Sequence, residues 1–229
     1  MPTLPTNKET LFQKAPTHWS GQKTLHEWLL SPSSSTHSED VWGHTPETID
    51  ASTTFWVMLQ KPRGLKLFTS PLELLFSLFT CKDMGIGALC IPETNINWGI
   101  KDSHSKWFGL TRKVWQHSLY ITSHTQEEFK GVHQPGGTLT FLANNWTLRI
   151  IDKGSDPFGL GRWSYMTLRG SREKWIILVT AYRVCVESIQ SCGDTTSTAQ
   201  QFRELSKIWR QQEALDVDPV PRRQFILDL

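Results

Sequence analysis

The chain has 229 residues, of which 38% are hydrophobic and 11% aromatic. This length and composition exclude a wholly disordered chain and suit one domain, or one domain with a tail. The net charge of +2 is too small to imply a polyanionic partner through bulk charge alone.

The first 50 residues differ in composition from the rest. They contain the run Ser31-Pro32-Ser33-Ser34-Ser35 and four of the eight histidines. We predict a poorly ordered leader over residues 1–50 and a folded domain over 51–229. No segment resembles a signal peptide or a membrane span, so we expect an intracellular protein. The sequence does not assign it to a particular compartment of the cell. The four cysteines lack a C-x-x-C pair and are predicted to be reduced thiols.

The folded part begins with a predicted strand, 55–59, and a predicted helix from about 70 to 84. Ser70 is expected to cap this helix, with Pro71 at its first position and Glu73 completing a capping box. Gly85 is expected to end it in a left-handed conformation. The helix should lie against a sheet with a broad apolar stripe, formed by Leu72, Leu74, Leu75, Phe76, Leu78 and Phe79.

The remaining elements define the class. Residues 86–91 are apolar on both faces and predict a buried strand, so that strand, helix and strand form a crossover in one sheet. Two hairpins should follow, one pairing 138–143 with 147–151 and the other pairing 163–168 with 175–181. A helix is predicted over 198–215 and an amphipathic segment near the end of the chain. The predicted class is α/β or α+β, with one crossover and then an antiparallel meander.

Three side chains are candidates for a metal or phosphate site. Glu93 closely follows the buried strand, where open sheets place their sites, and a carboxylate is a ligand that Mg²⁺ prefers. Tyr182 and Arg183 follow the strand 175–181, and a guanidinium can bind phosphate with two parallel hydrogen bonds. Each also has a structural alternative: an exposed loop glutamate, a tyrosine at the edge of the core and a surface arginine.

Two glycine-rich segments and one acid–base pair are less informative. Residues 134–138 and 159–162 match no phosphate-binding loop pattern and are predicted to be turns that lead into strands. Asp102-Ser103-His104 is predicted to be a solvated loop. From spacing alone, the sequence offers a candidate metal site with one carboxylate and no complete set of catalytic residues.

Four segments in order resemble the endonuclease/exonuclease/phosphatase superfamily, in particular the endonuclease domains of non-LTR retrotransposons. The resemblance covers about residues 53–229. It implies part of a four-layer α/β sandwich, a Mg²⁺ cofactor and hydrolysis of phosphodiester bonds in nucleic acid, with DNA favoured over RNA. It also implies that Glu93 binds the metal and that Tyr182 lies by the scissile phosphate. The segments are Ile91-Pro92-Glu93-Thr94, Gln134-Pro135-Gly136-Gly137-Thr138, Gly159-Leu160-Gly161-Arg162-Trp163-Ser164 and Thr180-Ala181-Tyr182-Arg183-Val184-Cys185.

The chain departs from the family pattern in two ways. Lys61 stands where the family has an asparagine, and a protonated lysine neither accepts a hydrogen bond nor binds a cation. The Gly-Asp-x-Asn and Asp-His motifs of the family would come after residue 229, so we expect a truncated domain with weak or no independent activity.

Three hypotheses follow for the function, and the oligomeric state is open under all of them. The first is a Mg²⁺-dependent endonuclease. The second is a non-catalytic domain that binds nucleic acid, for which the basic and aromatic run 106–115 is a candidate surface. The third is an inert remnant of a mobile element, poorly soluble because apolar surface lacks its cover.

Overall fold

The computed structural model describes residues 54–170, 174–185, 190, 192–211 and 219–228. The predicted leader, 1–50, lies outside the described residues. None of the described helices is both long and apolar enough to cross a membrane. The cysteines Cys81, Cys90, Cys185 and Cys192 are all free of disulfide bonds.

The described strands form two sheets. In the first sheet the strand order is β1-β2-β4-β3, with β1 parallel to β2 and the other neighbours antiparallel. The second sheet is antiparallel with the order β5-β6-β7. The predicted α/β class, the β1–helix–β2 crossover between adjacent strands and the second hairpin are therefore confirmed. The bounds are β1 Trp56–Leu59, α1 Pro71–Asp83, β2 Ile86–Pro92, α2 Lys101–Val114, β3 Ser118–Ser123, β4 Thr138–Ala143, β5 Ile150–Ser155, β6 Trp163–Arg169, β7 Trp175–Ala181, α3 Ser197–Gln211 and α4 Pro221–Asp228.

Strand β4 packs against a different layer on each of its two faces. Leu139 and Phe141 face the helices, where the Phe141 ring lies 5.0 Å from that of Trp115. The alternate residues face the second sheet, and there Thr140 shares a hydrogen bond of 2.7 Å with Thr180 of β7. Since successive side chains of a strand point to opposite faces, β4 packs helices on one side and a sheet on the other.

The hydrogen bonds between the sheets continue along β4. Thr138 donates to Ser164 Oγ over 3.0 Å, and Thr140 also donates to the Ser164 carbonyl over 3.1 Å. These residues are buried, so each hydroxyl without a partner would reduce stability by about 1–3 kcal/mol. The hydroxyl pairs therefore favour one alignment of the two sheets.

The first predicted hairpin is wrong. Residues Asn144–Arg149 form a 3₁₀ helix after β4, and the strand that follows, β5, pairs with β6 in the other sheet. Trp146 packs over Gly87, where an added Cβ would lie 2.7 Å from the indole. The chain thus changes sheets at a position where strand-forming residues alone indicated a return along the same sheet.

The start and the buried face of α1 also differ from expectation. Ser70 makes no side-chain capping bond, and Glu73 binds Lys66 over 2.7 Å instead of completing a capping box. Leu78 is buried, whereas Leu72 and Phe76 are 70% and 72% exposed. The helix is apolar around most of its circumference, so the pattern did not indicate which face contacts the sheet. Gly85 does adopt the predicted left-handed conformation, with φ of +70°.

The last helices are attached by polar networks. The predicted helix 198–215 is confirmed as α3 up to residue 211, and 212–218 lie outside the described residues. Helix α4 is attached through Arg162, which is fully buried and binds both Asp156 and Asp228 over 2.6 Å. Phe225 of α4 packs edge-on against Trp163.

Candidate functional site

The segments singled out in the sequence meet at one end of the packed sheets. Pro92 at the end of β2 pairs with Thr138 at the start of β4, which places Glu93 beside the glycines that precede β4. In the second sheet, Ala181 at the end of β7 pairs with Trp163 at the start of β6. Tyr182 then donates its amide hydrogen to the carbonyl of Arg162 over 2.7 Å.

The backbone at Glu93 is strained. Glu93 and Asn95 have φ values of +56° and +53°. The left-handed conformation raises the energy of a glutamate by about 1–2 kcal/mol, whereas asparagine adopts it more readily. Hydrogen bonds from the segment before β4 hold the backbone in this conformation. Asn95 donates its amide hydrogen to the Gly136 carbonyl over 2.9 Å, and its side-chain oxygen accepts the Gly136 amide hydrogen over 2.8 Å. Strained residues concentrate at functional sites, which supports a role for Glu93.

Gly136 and Gly137 allow this close approach. Both have positive φ, and a Cβ on Gly136 would lie 2.9 Å from the Ser197 hydroxyl and 3.6 Å from the Tyr182 ring. A Cβ on Gly137 would lie 3.0 Å from the Ser123 carbonyl oxygen. As predicted, these glycines form a turn that leads into a strand, here β4.

Glu93 and Tyr182, 89 positions apart in the sequence, are in contact. The Tyr182 hydroxyl donates to Glu93 Oε1 over 3.4 Å. The second carboxylate oxygen, Oε2, accepts a hydrogen bond from the Lys61 ammonium over 2.9 Å. The ammonium also lies 5.9 Å from the centre of the Tyr182 ring, within reach of a cation–π interaction. The three side chains therefore form one cluster, the Lys61–Glu93–Tyr182 site.

The charges in this site stabilise one another. Burial raises the pKa of Tyr182, the Glu93 charge raises it further, and a hydrogen bond with Ser197 opposes the shift. The hydrogen bond and charge of Glu93 raise the pKa of Lys61. At neutral pH the site therefore contains a protonated phenol, which is a hydrogen-bond donor, and an ammonium ion.

Two residues of the site were missed by sequence reasoning, and one candidate lies elsewhere. Lys61 was noted as a departure from a pattern and not as a partner of Glu93. Ser197 gives no functional signal in the sequence, yet its side chain shares a hydrogen bond with that of Tyr182. Arg183 donates to the carbonyl of Arg222 in α4 over 3.2 Å, so its described contact is structural and its predicted phosphate contact stays a prediction.

A cavity of about 180 Å³ lies next to the site. Asn95, two residues after Glu93, forms part of its wall, and the exposed side chains of Arg63 and His133 line it with Phe68 and Ile96. Arg63, two residues after Lys61 in the sequence, gives this cavity a positively charged side chain.

The donor set does not fit Mg²⁺. This ion requires near-octahedral oxygen ligands at about 2.0–2.1 Å, and proteins bind it through one or two carboxylates with water. Glu93 is the carboxylate here, and both of its oxygens already contact Lys61 or Tyr182. Among the described residues, no group of three or more His, Cys, Asp or Glu side chains is arranged to hold a metal. The predicted role of Glu93 as a metal ligand thus lacks support from neighbouring ligands.

The basic and aromatic run 106–115 lies on α2 and its C-terminal cap residue, with both tryptophans buried and Phe108 47% exposed. Trp107 and Trp115 lie in the core at 0% and 2% exposure. Lys106 lies 4.2 Å from the centre of the Phe68 ring. Because buried indoles cannot stack on bases, the predicted stacking surface on this segment is wrong for its two tryptophans.

Asp102-Ser103-His104 is also structural, although it is not the predicted loop. The three residues lie in the first turn of α2. His104 Nε2 lies 2.8 Å from the Trp98 carbonyl and Nδ1 lies 3.1 Å from the Tyr120 hydroxyl, so both ring nitrogens have partners within the core.

The sequence matches no protein-family model and has no significant match among curated proteins. Among solved structures, the chain is similar to the crystal structure of the AP endonuclease LMAP from Leishmania major, with a TM-score of 0.45 and 19% identity. The match covers 62% of this chain and 44% of that structure. The chain therefore spans less than half the length of the structure that it matches.

Proposed function

We propose that the chain is a nuclease-like domain that binds the phosphodiester backbone of nucleic acid at the Lys61–Glu93–Tyr182 site. The contact of Tyr182 with Glu93 carries the proposal. Two residues chosen from the sequence for phosphate chemistry, far apart in the chain, lie within 3.4 Å at the end of the sheets. Next to them is an ammonium ion, and the basic side chains of Arg63 and His133 line the adjacent cavity.

The chemistry of the site suits a phosphodiester. Its non-bridging oxygens carry one negative charge and accept hydrogen bonds. Lys61 supplies N–H donors directly, and the single hydroxyl hydrogen of Tyr182 becomes available to the phosphate when it turns away from Glu93. Lys61 neutralises Glu93, so the carboxylate does not repel the phosphate as strongly as a free one would. A site with one strong phosphate contact should bind weakly and independently of sequence, with a Kd on the order of 10⁻⁴–10⁻⁶ M.

Hydrolysis is the second candidate, and we expect it to be slow. In the described residues, no histidine contacts Glu93 or Tyr182, so the site lacks the usual general base. Loss of one member of a catalytic unit lowers the rate by orders of magnitude. The relation to retrotransposon endonucleases and the preference for DNA over RNA stay predictions from the sequence resemblance.

Binding can be tested by fluorescence anisotropy with labelled single-stranded DNA and RNA oligonucleotides at low salt. Tyr182→Phe keeps the ring and removes the hydroxyl, so binding should weaken about fivefold, as expected for the loss of one hydrogen bond. Lys153→Met, at an exposed position on β5, is the control and should bind like the wild type. A flat titration, or equal affinity of the wild type and Tyr182→Phe, would contradict the proposal.

Hydrolysis can be tested with supercoiled plasmid. The wild type and Glu93→Ala are incubated with and without Mg²⁺, and nicked product is quantified. We expect little product from the wild type. Nicking by the wild type that disappears in Glu93→Ala would establish the second candidate, whereas nicking that persists would indicate contamination.

A further inference from the structure

The Lys61 ammonium lies on the carboxylate that would be expected to hold a metal ion. It contacts Glu93 Oε2 over 2.9 Å, while the other oxygen accepts from Tyr182. A divalent cation within coordination distance of either oxygen would be close to a positive charge with little water between them. Such an ion would therefore be repelled unless Lys61 moved away.

The side-chain oxygen of Asn95, close to Glu93, already has a hydrogen-bond partner. Asn95 lies two residues after Glu93, but its side-chain oxygen accepts the Gly136 amide hydrogen over 2.8 Å. That bond is one of those holding the strained turn at Glu93. A metal could use only the second lone pair of this oxygen, because the first is needed for the bond to the buried Gly136 amide.

Lys61 is placed so that a ligand can reach it. Its side chain is 58% exposed, against 26% for Glu93, so the ammonium lies on the solvent side of the carboxylate. A lysine has three N–H donors, and the described residues supply one hydrogen-bond acceptor, Glu93. The ammonium lies 5.9 Å from the centre of the Tyr182 ring, so both side chains are within reach of one ligand.

We propose that Lys61 takes the place of a metal ion: Glu93 holds the ammonium instead of a divalent cation, and the ammonium contacts the phosphodiester. The inference rests on the proposed function, because it specifies how the Lys61–Glu93–Tyr182 site binds its ligand. Glu93 is then a positioning residue, since it acts on the phosphate through Lys61. Binding should need no added metal.

The first test measures metal binding directly, by the electron paramagnetic resonance signal of free Mn²⁺. Wild type and Glu93→Gln should leave the same amount of Mn²⁺ free. Lys61→Asn replaces the ammonium with an amide oxygen beside Glu93, so this variant should gain Mn²⁺ affinity, and adding Glu93→Gln should remove the gain. Lys153→Asn is the matched control. Wild-type binding of Mn²⁺ that depends on Glu93 and is as tight as in Lys61→Asn would overturn the inference.

The second test measures oligonucleotide binding by anisotropy in EDTA and in millimolar Mg²⁺. Wild-type affinity in EDTA should equal or exceed that in Mg²⁺, and Lys61→Met should weaken it about fivefold through loss of a phosphate contact. Lys153→Met should change it less than about twofold, because Lys153 lies on β5, which β6 separates from the strand that precedes Tyr182. Binding that requires Mg²⁺ would overturn the inference and leave the proposed function standing. Absence of binding in both buffers would overturn both.

Discussion

Tyr182 donates a hydrogen bond to Glu93, and the two residues belong to different sheets. Glu93 follows β2 of the first sheet and Tyr182 follows β7 of the second, with 3.4 Å between the bonded oxygens. The site therefore exists only when the sheets are packed and aligned. The buried hydroxyl pairs between Thr140 and Thr180 and between Thr138 and Ser164 favour that alignment.

The titration of the tyrosines tests the environment of the site. The chain has three tyrosines, and the pKa of each is raised: burial raises those of Tyr120 and Tyr182, and the hydrogen bond to Asp152 raises that of Tyr165. The midpoints of the rise in phenolate absorbance should therefore lie above pH 10 in the folded protein. Because a raised pKa favours the folded state below pH 10, stability should fall as the pH rises further.

Two variants assign the Tyr182 component of this titration. Tyr182→Phe should remove one of the three steps, and Glu93→Gln should lower the pKa of Tyr182 by removing a negative charge. A step that disappears in Tyr182→Phe but has its midpoint at or below pH 10 in the wild type would contradict the described burial.

The turn before β4 should not tolerate a side chain. Gly136→Ala places a Cβ 2.9 Å from the Ser197 hydroxyl in a left-handed conformation, and we expect a loss of about 1–3 kcal/mol in the free energy of unfolding. Gly109→Ala is the matched control, since Gly109 lies in α2 with open space around it and alanine should stabilise the helix by up to about 1 kcal/mol. Urea denaturation of the two variants measures the difference. Equal effects would mean that the turn has another conformation.

The buried ion network should be important for stability. Arg162→Met leaves the buried carboxylate of Asp156 without its partner, and breaking such a pair reduces stability by about 3–5 kcal/mol. Arg203→Met removes a partly exposed pair with Glu127 and should reduce it by no more than about 1 kcal/mol. Chemical denaturation monitored by tryptophan fluorescence compares them. A smaller loss in Arg162→Met than in Arg203→Met would show that the network is not buried.

His124 should make the protein sensitive to acid. Burial lowers the pKa of this half-buried histidine, and the nearby His104 lowers it further. The unfolded chain then binds a proton more readily than the folded one, so stability is full above about pH 6.5 and falls as the pH drops through the folded-state pKa. The urea midpoint should fall less steeply with acid in His124→Gln than in the wild type.

The positions of Glu93 and Tyr182 were predictable because both follow strands recognisable from their composition. When strands of packed sheets end at the same edge, the residues after them meet there, as Glu93 and Tyr182 do. The pairing of Lys61 with Glu93 was not predictable, because a loop lysine near a carboxylate has many conformations open to it. The distance between the Lys61 ammonium and the Glu93 carboxylate depends on the turn at Gly64. This glycine has φ of +86° and packs against Asn95.

Two of the errors in the fold, the first hairpin and the buried face of α1, have similar causes. Residues 147–151 contain strand-forming side chains, but periodicity does not state which strand is the partner, and β5 pairs with β6 rather than with β4. Helix α1 is apolar on nearly all sides, so the sequence could not indicate that Leu78 would be buried while Phe76 remained exposed. Both outcomes depend on tertiary packing.

The most direct test of the account is a map of amide chemical shifts, recorded by two-dimensional ¹H–¹⁵N NMR, as a short oligonucleotide is added. The account predicts that the largest shifts occur at Glu93, Gly136 and Tyr182, with little change at Gly87 and Asn145 beside the opposite end of β2. Shifts concentrated at Gly87 and Asn145, or none at Glu93, Gly136 and Tyr182 at saturating oligonucleotide, would contradict it.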